Sequence, residues 1–233
     1  MKKYILMNQK VYDELSSEYD ERAEESFSCN ERVSRGFVSY LKSNFRNPKV
    51  LELGCGSGLN LSIFEREGFE TYCVDISRKM IEVSRKRAPN TKYLLSDFLE
   101  CDFGDLKFEG VFASAFIHLF SKEDALIVLD KIKSLLSPNG ILFLSTTLHK
   151  ESEEGFYEKS DYSTKLKRFR KKWEINELMS TLKGLDLKIL GSDLSIEFDR
   201  RKMWINFILI PRLTIKSIIV QNETNKTWRE KCQ

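Results

Sequence analysis

The sequence predicts an α/β fold built on a mostly parallel β-sheet, and three observations support this prediction. The chain of 233 residues is long enough for one α/β domain and too short for two. Apolar runs typical of buried strands alternate with segments of helical periodicity. Three alternating glycines, Gly54, Gly56 and Gly58, follow the first such strand. A strand, a glycine turn and a helix in this order form a corner that is typical of nucleotide-binding sites.

The charge, the cysteines and the apolar segments of the sequence indicate the partners and the compartment of the protein. The 38 basic and 35 acidic residues leave a net charge of +3, so no strong field draws the molecule to nucleic acid or membrane. The five cysteines form no C-x-x-C pair, which is typical of a reduced protein. The apolar run after Met1-Lys2-Lys3 is too short for a signal peptide, and no segment has the length of a membrane span. We therefore expect a cytoplasmic protein without a membrane partner.

The elements follow one another in a regular order. Two amphipathic helices, the first from Asn8 to about Glu25, precede the first strand and form an N-terminal helical cap of residues 1–47. A core of residues 48–212 follows, with a tail of residues 213–233. After the glycine turn, the pattern predicts strands at 70–75 and 92–95, a fourth strand that runs into a loop over residues 108–120, a turn at 137–140 and a fifth strand at 141–146. It then predicts a helix from Glu174 to Lys183 and an antiparallel hairpin of residues 185–198 and 203–210.

The glycine turn distinguishes between cofactors. A dinucleotide fingerprint requires Gly-x-Gly-x-x-Gly, but Gly58 comes one residue early and Leu59 stands in the last glycine's place, which disfavours NAD. A P-loop is excluded because no Gly-Lys-Ser/Thr follows. The run Glu52-Leu53-Gly54-Cys55-Gly56-Ser57-Gly58 instead resembles the first motif of the class I S-adenosylmethionine (SAM)-dependent methyltransferases. The motif alone leaves open a structural glycine turn in another α/β protein.

Asp75 ends the second strand about 20 residues after the glycines. A carboxylate at this place accepts hydrogen bonds from ribose hydroxyls in nucleotide-binding folds. The alternative role, an N-cap for the next helix, is less favoured because Ser77 is better placed for it. We therefore predict that Asp75 binds the cofactor.

The resemblance extends over residues 48–211 and implies a three-layer Rossmann-like sandwich, with a seven-stranded, mostly parallel sheet whose last strand is antiparallel. It implies SAM as the cofactor, with Asp97 at the adenine amino group and Phe98 beside the ring. It also assigns Glu52, Cys55, Ile76, Met80 and Ser114 to the cofactor site together with the glycines. In this family an N-terminal extension often covers the cofactor, which implies positioning roles for Tyr12 and Tyr19; the alternative is that each tyrosine only packs on the helices.

An insertion of residues 148–173 shows no clear periodicity and much charge. Its basic segment, residues 165–172, is followed by Trp173 and contains Leu166 and Phe169. Such a segment either contacts phosphate and stacks bases or forms a solvated face. We expect the insertion to take part in binding the acceptor.

Methyl transfer from a sulfonium is an in-line displacement with a neutral leaving group. The protein therefore mainly aligns the reactants, and a base is needed only where the acceptor must lose a proton. His118, just past the fourth strand, is the candidate base because its intrinsic pKa lies near neutrality; the alternative is a histidine that is only satisfied within its loop. No metal is predicted, because His118 and His149 lie in no metal-binding pattern.

Together these features predict an enzyme that transfers a methyl group from SAM to a nitrogen or oxygen of a small-molecule acceptor. Two alternatives remain: a methyltransferase for tRNA or other RNA that uses residues 165–172, and a non-catalytic regulator that binds SAM. The identity of the acceptor, the methylated atom and the oligomeric state are left open by the sequence.

Overall fold

The computed structural model describes residues 1–159, 162–163, 165–197 and 202–212, without the side chains of residues 24–30, 196 and 197. Its elements are α1 (Lys3–Glu21), α2 (Ala23–Asn44), β1 (Lys49–Leu53), α3 (Leu59–Arg66), β2 (Glu70–Asp75), α4 (Arg78–Arg87), β3 (Lys92–Leu95), β4 (Phe108–Ser114), a 3₁₀ helix (Ile117–Leu119), α5 (Lys122–Leu135), β5 (Leu136–Leu148), β6 (Glu153–Glu158), β7 (Lys167–Lys172), α6 (Ile175–Gly184), β8 (Leu187–Glu197) and β9 (Lys202–Pro211). The predicted tail, residues 213–233, lies outside the described residues.

Seven strands form one sheet in the order β3-β2-β1-β4-β5-β9-β8. The first five strands are parallel to one another, whereas β9 runs antiparallel to both β5 and β8. The predicted α/β architecture with its reversed last strand is therefore confirmed. The order reverses between β1 and β4, and ligands of open α/β sheets bind at the carboxyl ends of the strands at such a point.

Helices cover both faces of the sheet because the inner strands are apolar on both sides. On one face, helices α5 and α6 pack on a cluster that includes Leu51, Leu53, Val111, Ala113, Leu142 and Leu144. On the other face, helices α2, α3 and α4 pack on a cluster that includes Val50, Cys73, Phe112, Ile141 and Phe143. This alternation along each strand produces the three layers.

Helix α1 crosses the carboxyl edge of the sheet. Gln9 donates a hydrogen bond to the carbonyl of Ile76 after β2 at 3.0 Å, and Asn8 donates to the carbonyl of Leu119 after β4 at 3.2 Å. Near the start of the helix, Lys2 pairs with Asp124 of α5 at 2.6 Å. The helix therefore lies over the edge where a ligand is expected.

The observed elements differ from the predicted ones in three places. Helix α1 begins at Lys3 rather than Asn8, and α2 begins at Ala23, because the chain bends only at Arg22. Residues 137–140, predicted as a turn, lie within β5 as an irregularity in its pairing with β4. The insertion is not irregular throughout, since β6 and β7 form an antiparallel hairpin. No helix among the described residues has the length and apolar character that crossing a membrane requires.

Candidate active site

A cavity opens at the carboxyl ends of β1, β2 and β4, beneath α1. It holds about 840 Å³, including a part open to solvent, and this size is typical of small-molecule sites. Many of the predicted site residues line it: Tyr12, Tyr19, Gly54, Gly56, Asp75, Ile76, Met80, Asp97, Phe98 and Ser114. The structure thus brings together residues from the N-terminal cap and from four successive strand ends.

The glycine turn forms the floor of this cavity. Gly54 and Gly56 have φ angles of +77° and +48°, which side chains other than glycine rarely adopt. The N–H of Gly54 donates to the carbonyl of Val74 at 2.9 Å and so ties the turn to β2. A Cβ atom on Gly56 would meet no atom within 4 Å. A ligand can therefore approach the backbone closely at Gly56.

Asp75 joins the glycine turn to the start of α4. Its Oδ2 accepts from the N–H of Cys55 at 2.9 Å, and its Oδ1 accepts from the N–H of Ser77 at 2.7 Å. Burial raises the pKa of this carboxyl, and the two N–H groups oppose the rise. Ser77 itself caps α4 through the N–H of Met80 at 3.1 Å, as predicted. Asp75 therefore both holds the turn and faces the cavity.

Asp97 and Phe98 form the opposite wall. Asp97 accepts from the N–H of Leu99 at 3.0 Å, and burial raises the pKa of its carboxyl. The ring of Phe98 meets that of Phe116 edge-on, with centroids 5.9 Å apart. Lys131 donates to the carbonyl of Phe98 at 2.6 Å and holds this loop in place. The wall combines a carboxyl group with an aromatic surface.

Helix α1 supplies the remaining wall. The rings of Tyr12 and Tyr19 lie 6.1 Å apart and face the cavity. Burial raises the pKa of Tyr19 well above its usual value, so this phenol is neutral at pH 7. The Oδ1 of Asn8 accepts from the N–H of Phe169 in β7 at 2.7 Å, which fixes α1 against the hairpin. The cavity is thus closed by a helix that is itself anchored on both sides.

Comparison with known proteins agrees with this geometry. Residues 50–140 match a family model described as a methyltransferase domain. The solved structure of a Burkholderia thailandensis 1,6-didemethyltoxoflavin-N1-methyltransferase, with bound 1,6-didemethyltoxoflavin and S-adenosylhomocysteine (SAH), has the same fold at a TM-score of 0.67 and 18% identity, covering 88% of this chain and 86% of that one. Residues 50–140 are therefore similar to a methyltransferase domain, within a fold shared with a methyltransferase of known structure.

Curated relatives are similar to this chain over part of their length. A cypemycin N-terminal methyltransferase from Streptomyces sp is 28% identical over 142 residues, which are 56% of this chain and 57% of that protein. A ubiquinone biosynthesis O-methyltransferase from Actinobacillus pleuropneumoniae serotype 5b (strain L20) is 29% identical over 108 residues, 42% of this chain and 45% of that protein. The chain therefore spans about half the length of these relatives.

His118, the candidate base, is not among the residues that line the cavity. Its side chain is buried in the 3₁₀ helix after β4, with Nδ1 3.1 Å from the hydroxyl of Thr146. Burial lowers its pKa well below the usual value, and the cations Arg170, Arg168 and Lys159 lower it further. His118 is consequently neutral at pH 7, and its role as a base stays a prediction.

Three residues assigned to the cofactor support the cavity from behind. Glu52 is buried in β1 and accepts from the Nδ2 of Asn60 in α3 at 2.8 Å; burial raises the pKa of Glu52 to about 8. Cys55 reaches Asp75 through its N–H and its thiol. Gly58 has φ +82°, and a Cβ there would lie 2.7 Å from the carbonyl oxygen of Ser84, so it permits close packing of α3 on α4. None of the three lines the cavity.

The insertion turns its aromatic rings inward. Phe169 and Trp173 are buried, so neither ring is available for stacking on a base. Arg168 and Lys171 are buried as well, and Lys171 pairs with Glu177 of α6 at 2.8 Å. The description of residues 165–172 as a uniformly solvated face is therefore wrong for Arg168 and Lys171.

Several lining residues were not predicted: Ile5, Asn8, Leu53, Val74, Ser96, Ala115, Phe116, Leu119 and Phe120. Some of them end β1 and β2 or follow β3 and β4, and so lie at the same carboxyl edge of the sheet as the predicted residues. Their position at the strand ends could therefore have predicted them from the sequence. Ile5 and Asn8 carried no such signal, because they come from α1. Among the described residues, no three His, Cys, Asp or Glu side chains form a group that suits a metal ion.

Proposed function

We propose that the chain is a SAM-dependent methyltransferase that methylates a nitrogen or oxygen atom of a small-molecule acceptor. The observation that carries this proposal is the cavity at the switch point of the sheet, where Gly56, Asp75 and Asp97 meet beneath Tyr12 and Tyr19. The methyltransferase-domain match over residues 50–140 supports the same assignment.

The residues of the cavity fit the proposed cofactor. Gly56 leaves open space where a side chain would otherwise stand. An ionised carboxylate has about four acceptor sites, and the described contacts of Asp75 use three of them. A ribose hydroxyl thus finds an acceptor at Asp75. Phe98 and Phe116 offer an apolar aromatic surface that suits the adenine ring, and Asp97 lies beside it.

The mechanism that these residues support rests on orientation. The cofactor supplies an electrophilic methyl group on a positively charged sulfur. Asp75 and the glycine turn hold the nucleoside part, and α1 covers the cavity and restricts the access of water to it. In this proposal, Tyr12 and Tyr19, which line the cavity, orient the acceptor within it. His118 acts, in this proposal, as a base only for an acceptor that reaches its buried ring.

A small acceptor is favoured over RNA by the position of α1 and of the hairpin. Helix α1 covers the cavity, and the aromatic residues Phe169 and Trp173 that would stack on bases are buried. The names of the compared proteins point in the same direction, since that of the Burkholderia enzyme refers to a small heterocycle. Either nitrogen or oxygen fits, because the two curated relatives are named as an N-terminal methyltransferase and an O-methyltransferase.

Calorimetry tests the cofactor. We expect SAM and its demethylated product SAH to bind to the purified protein, whereas NAD fails to bind under the same conditions. The physical reason is the glycine spacing, since Gly58 comes one residue early and Leu59 stands where a dinucleotide fingerprint has its last glycine. Binding of NAD without any response to SAM or SAH would refute the proposal.

Transfer of labelled methyl groups distinguishes an enzyme from a regulator. The protein is incubated with methyl-labelled SAM and an ultrafiltered small-molecule extract, and incorporation into the extract is measured. An enzyme incorporates label at a rate proportional to its concentration. SAH binding without incorporation from any extract would favour the non-catalytic regulator, whereas incorporation only with RNA would favour the RNA methyltransferase.

A further inference from the structure

A single lysine holds the loop that forms one wall of the cavity. We call residues 97–101, which follow β3, the β3 loop. Lys131 on α5 donates from its Nζ to the carbonyl oxygens of Phe98 at 2.6 Å, Leu99 at 3.3 Å and Cys101 at 2.5 Å. Only the charged ammonium form of lysine has three N–H donors. The three bonds therefore require the positive charge of this side chain and use its full donor capacity.

The three carbonyl groups converge on one point. Carbonyl oxygens carry partial negative charge, so three of them that point to one place repel one another unless a cation lies between them. The rest of the β3 loop is held by Asp97, whose carbonyl accepts from the N–H groups of Glu100 at 3.0 Å and Cys101 at 2.8 Å. Without the ammonium group of Lys131, the converging carbonyls would turn toward water, and the loop would change its shape.

The β3 loop connects Lys131 to the cavity. Asp97 and Phe98 line the cavity, whereas Lys131 does not. The Nζ of Lys131 lies 5.0 Å from the centre of the Phe98 ring, within the range of a cation–π interaction. The Oδ1 of Asp97 accepts from the N–H of Leu99 at 3.0 Å, and its Oδ2 makes no hydrogen bond with the part of the chain that the structure describes. Lys131 therefore acts on a ligand through the residues of this loop.

Charged groups from three parts of the chain act on the carboxyl group of Asp97. Burial raises the pKa of Asp97 most, and the carboxylate of Glu100 in the same loop adds to the rise. The N–H of Leu99, the amine of Met1 and the ammonium group of Lys131 lower the pKa. Lys131 is thus the cation with which α5 favours the ionised form of Asp97.

We propose that Lys131 is a positioning residue for the cofactor: it holds the β3 loop so that Asp97 presents an acceptor to the amino group of the adenine ring. This inference rests on the proposed use of SAM and adds a residue outside the cavity that determines how the base is recognised. The Oδ2 of Asp97 accepts from the amino group, and Phe98 lies beside the ring. The charge of Lys131 favours the carboxylate, the form of Asp97 that only accepts hydrogen bonds.

Calorimetry with SAH tests this role. In Lys131→Met, which has an unbranched side chain without charge, we expect SAH affinity to fall by about ten-fold or more at pH 7, because the hydrogen bond to a charged group is weakened. Lys133→Met is the matched control. Lys133 lies on the same helix and is half-buried like Lys131, but it donates to the carbonyl of Leu185 at 3.3 Å and pairs with Asp130 at 3.1 Å. We expect a change of less than about two-fold there.

The pH dependence of SAH affinity distinguishes a role through Asp97 from general support of the fold. If the ionised carboxylate binds the base, affinity falls as pH decreases through the folded-state pKa of Asp97, which is higher without Lys131. The ratio of the affinities of wild type and Lys131→Met should therefore grow as pH falls from about 8 to about 5.5. The titration of Asp75 affects both proteins alike and cancels in this ratio.

Two further variants separate charge from geometry. Asp97→Asn removes the titrating group and keeps an Oδ1 for the N–H of Leu99. In this background, Lys131→Met should change SAH affinity less than in the wild type and independently of pH, because residues that act together are not additive. Lys131→Arg keeps the charge and should keep the wild-type pH dependence. Its affinity should still be lower, because a planar guanidinium does not fit three carbonyls that converge on one atom.

The outcomes separate this inference from the proposed function. Equal SAH affinities of wild type and Lys131→Met at every pH, with only the melting temperature lowered, assign Lys131 to the fold and overturn the inference. A loss of affinity that is independent of pH and equally large in the Asp97→Asn background also overturns it. If Lys131→Met does not fold, Lys131→Gln, whose amide has two N–H donors and no charge, replaces it in the same comparisons. A wild type that binds no SAH refutes the proposed cofactor itself.

Discussion

At the scale of single residues, Asp75 combines two roles in one carboxylate. It accepts from the N–H groups of Cys55 and Ser77, and it also lines the cavity. We expect Asp75→Ala to weaken SAH binding by roughly 1.5 to 3 kcal/mol, the contribution of hydrogen bonds to a charged group. Calorimetry measures the loss, and Glu70→Ala at the half-buried start of the same strand is the control. An unchanged affinity together with a lower melting temperature would assign Asp75 to the fold alone.

His118 tests whether the enzyme uses a base. If His118 removes a proton from the acceptor, His118→Ala should lower kcat by about 100-fold, a typical loss for a general base. Burial and nearby cations lower the pKa of His118, so the neutral, basic form persists as pH falls below 6.5, and activity is lost only at the lower folded-state pKa. The wild-type rate profile should therefore be flat from about pH 6.5 upward. His149→Ala is the control; equal kcat and equal profiles in both variants would exclude a base at His118.

Glu52 makes the stability of the protein depend on pH. Burial raises its pKa to about 8 in the folded state, against a usual value of 4.5. Between these values the folded chain retains a proton that the unfolded chain has lost, so stability decreases as pH rises toward 8. Relative to Glu52→Gln, the free energy of unfolding of the wild type should fall by up to about 1.4 kcal/mol per pH unit.

Urea unfolding at pH 5.5 and pH 8 measures this difference. Glu70→Gln is the control, because Lys92 lowers the pKa of Glu70 and this residue stays ionised over the whole interval. Parallel pH dependence in the wild type and in Glu52→Gln would mean that Glu52 is ionised in the fold, with its charge compensated by Asn60 alone.

At the scale of elements, the turn between β1 and α3 contains two glycines with separate tasks. Gly56 faces open space in the cavity, whereas a Cβ on Gly58 would lie within 2.7 Å of the Ser84 carbonyl oxygen. Gly56→Ala should therefore weaken SAH binding with a stability loss of only about 1–2 kcal/mol from its positive φ. Gly58→Ala should lose more stability, because α3 and α4 must move apart.

Thermal unfolding with and without SAH distinguishes the two variants. For Gly56→Ala, we expect a small decrease in melting temperature and little increase when SAH is added. For Gly58→Ala, we expect a large decrease in melting temperature. Equal shifts in both variants would show that backbone strain alone determines the loss of stability. The packing of α3 on α4 would then accommodate a Cβ atom next to Ser84.

Regular elements of the sheet were predicted well because their patterns are local. The apolar run of β1 and the cap of α4 at Ser77 are both visible within a few residues. The β7 strand was not predicted, because cations occupy both of its faces and no alternation of polarity remains. Two partners allow this strand to be buried. Tyr12 in α1 is distant in sequence, and Glu177 lies on another element, α6, so a local pattern shows neither.

At the scale of the whole molecule, the sequence predicted those lining residues of the cavity whose positions follow from the strand order. Asp75 and Asp97 follow strands of one parallel sheet, so their meeting at one edge results from strand order. The lining residues of α1 depend on the direction in which this helix crosses that edge. Helical periodicity identifies which face of α1 is apolar but not which loops it contacts, so Asn8 was not predicted, and His118 was expected to face the substrate although it does not line the cavity.

The position of α1 predicts that ligand binding and helix docking are coupled. Helix α1 is attached to α4 through an ion pair of Asp20 with Arg87 at 2.5 Å and a hydrogen bond from Ser77 to Asp13 at 2.5 Å. A ligand in the cavity adds contacts to Tyr12 and Tyr19 and thus stabilises the docked helix by linkage. SAH should therefore slow amide exchange in α1, by up to the factor expected for β1 and β4, whose exchange requires the global unfolding that SAH opposes in full.

The variant Asp20→Asn makes this coupling measurable, because it removes the ion pairs with Lys86 and Arg87 without touching the cavity. Partly exposed pairs of this kind contribute up to about 1 kcal/mol each, so we expect faster exchange in α1 and SAH affinity weakened by no more than about five-fold. Lys42→Gln, which removes the pair with Glu67 between α2 and α3, should change neither quantity. Protection by SAH that is confined to the glycine turn and absent from α1 would contradict the coupling. The helix would then be a fixed wall, and the acceptor would have to enter through the part of the cavity that is already open to solvent.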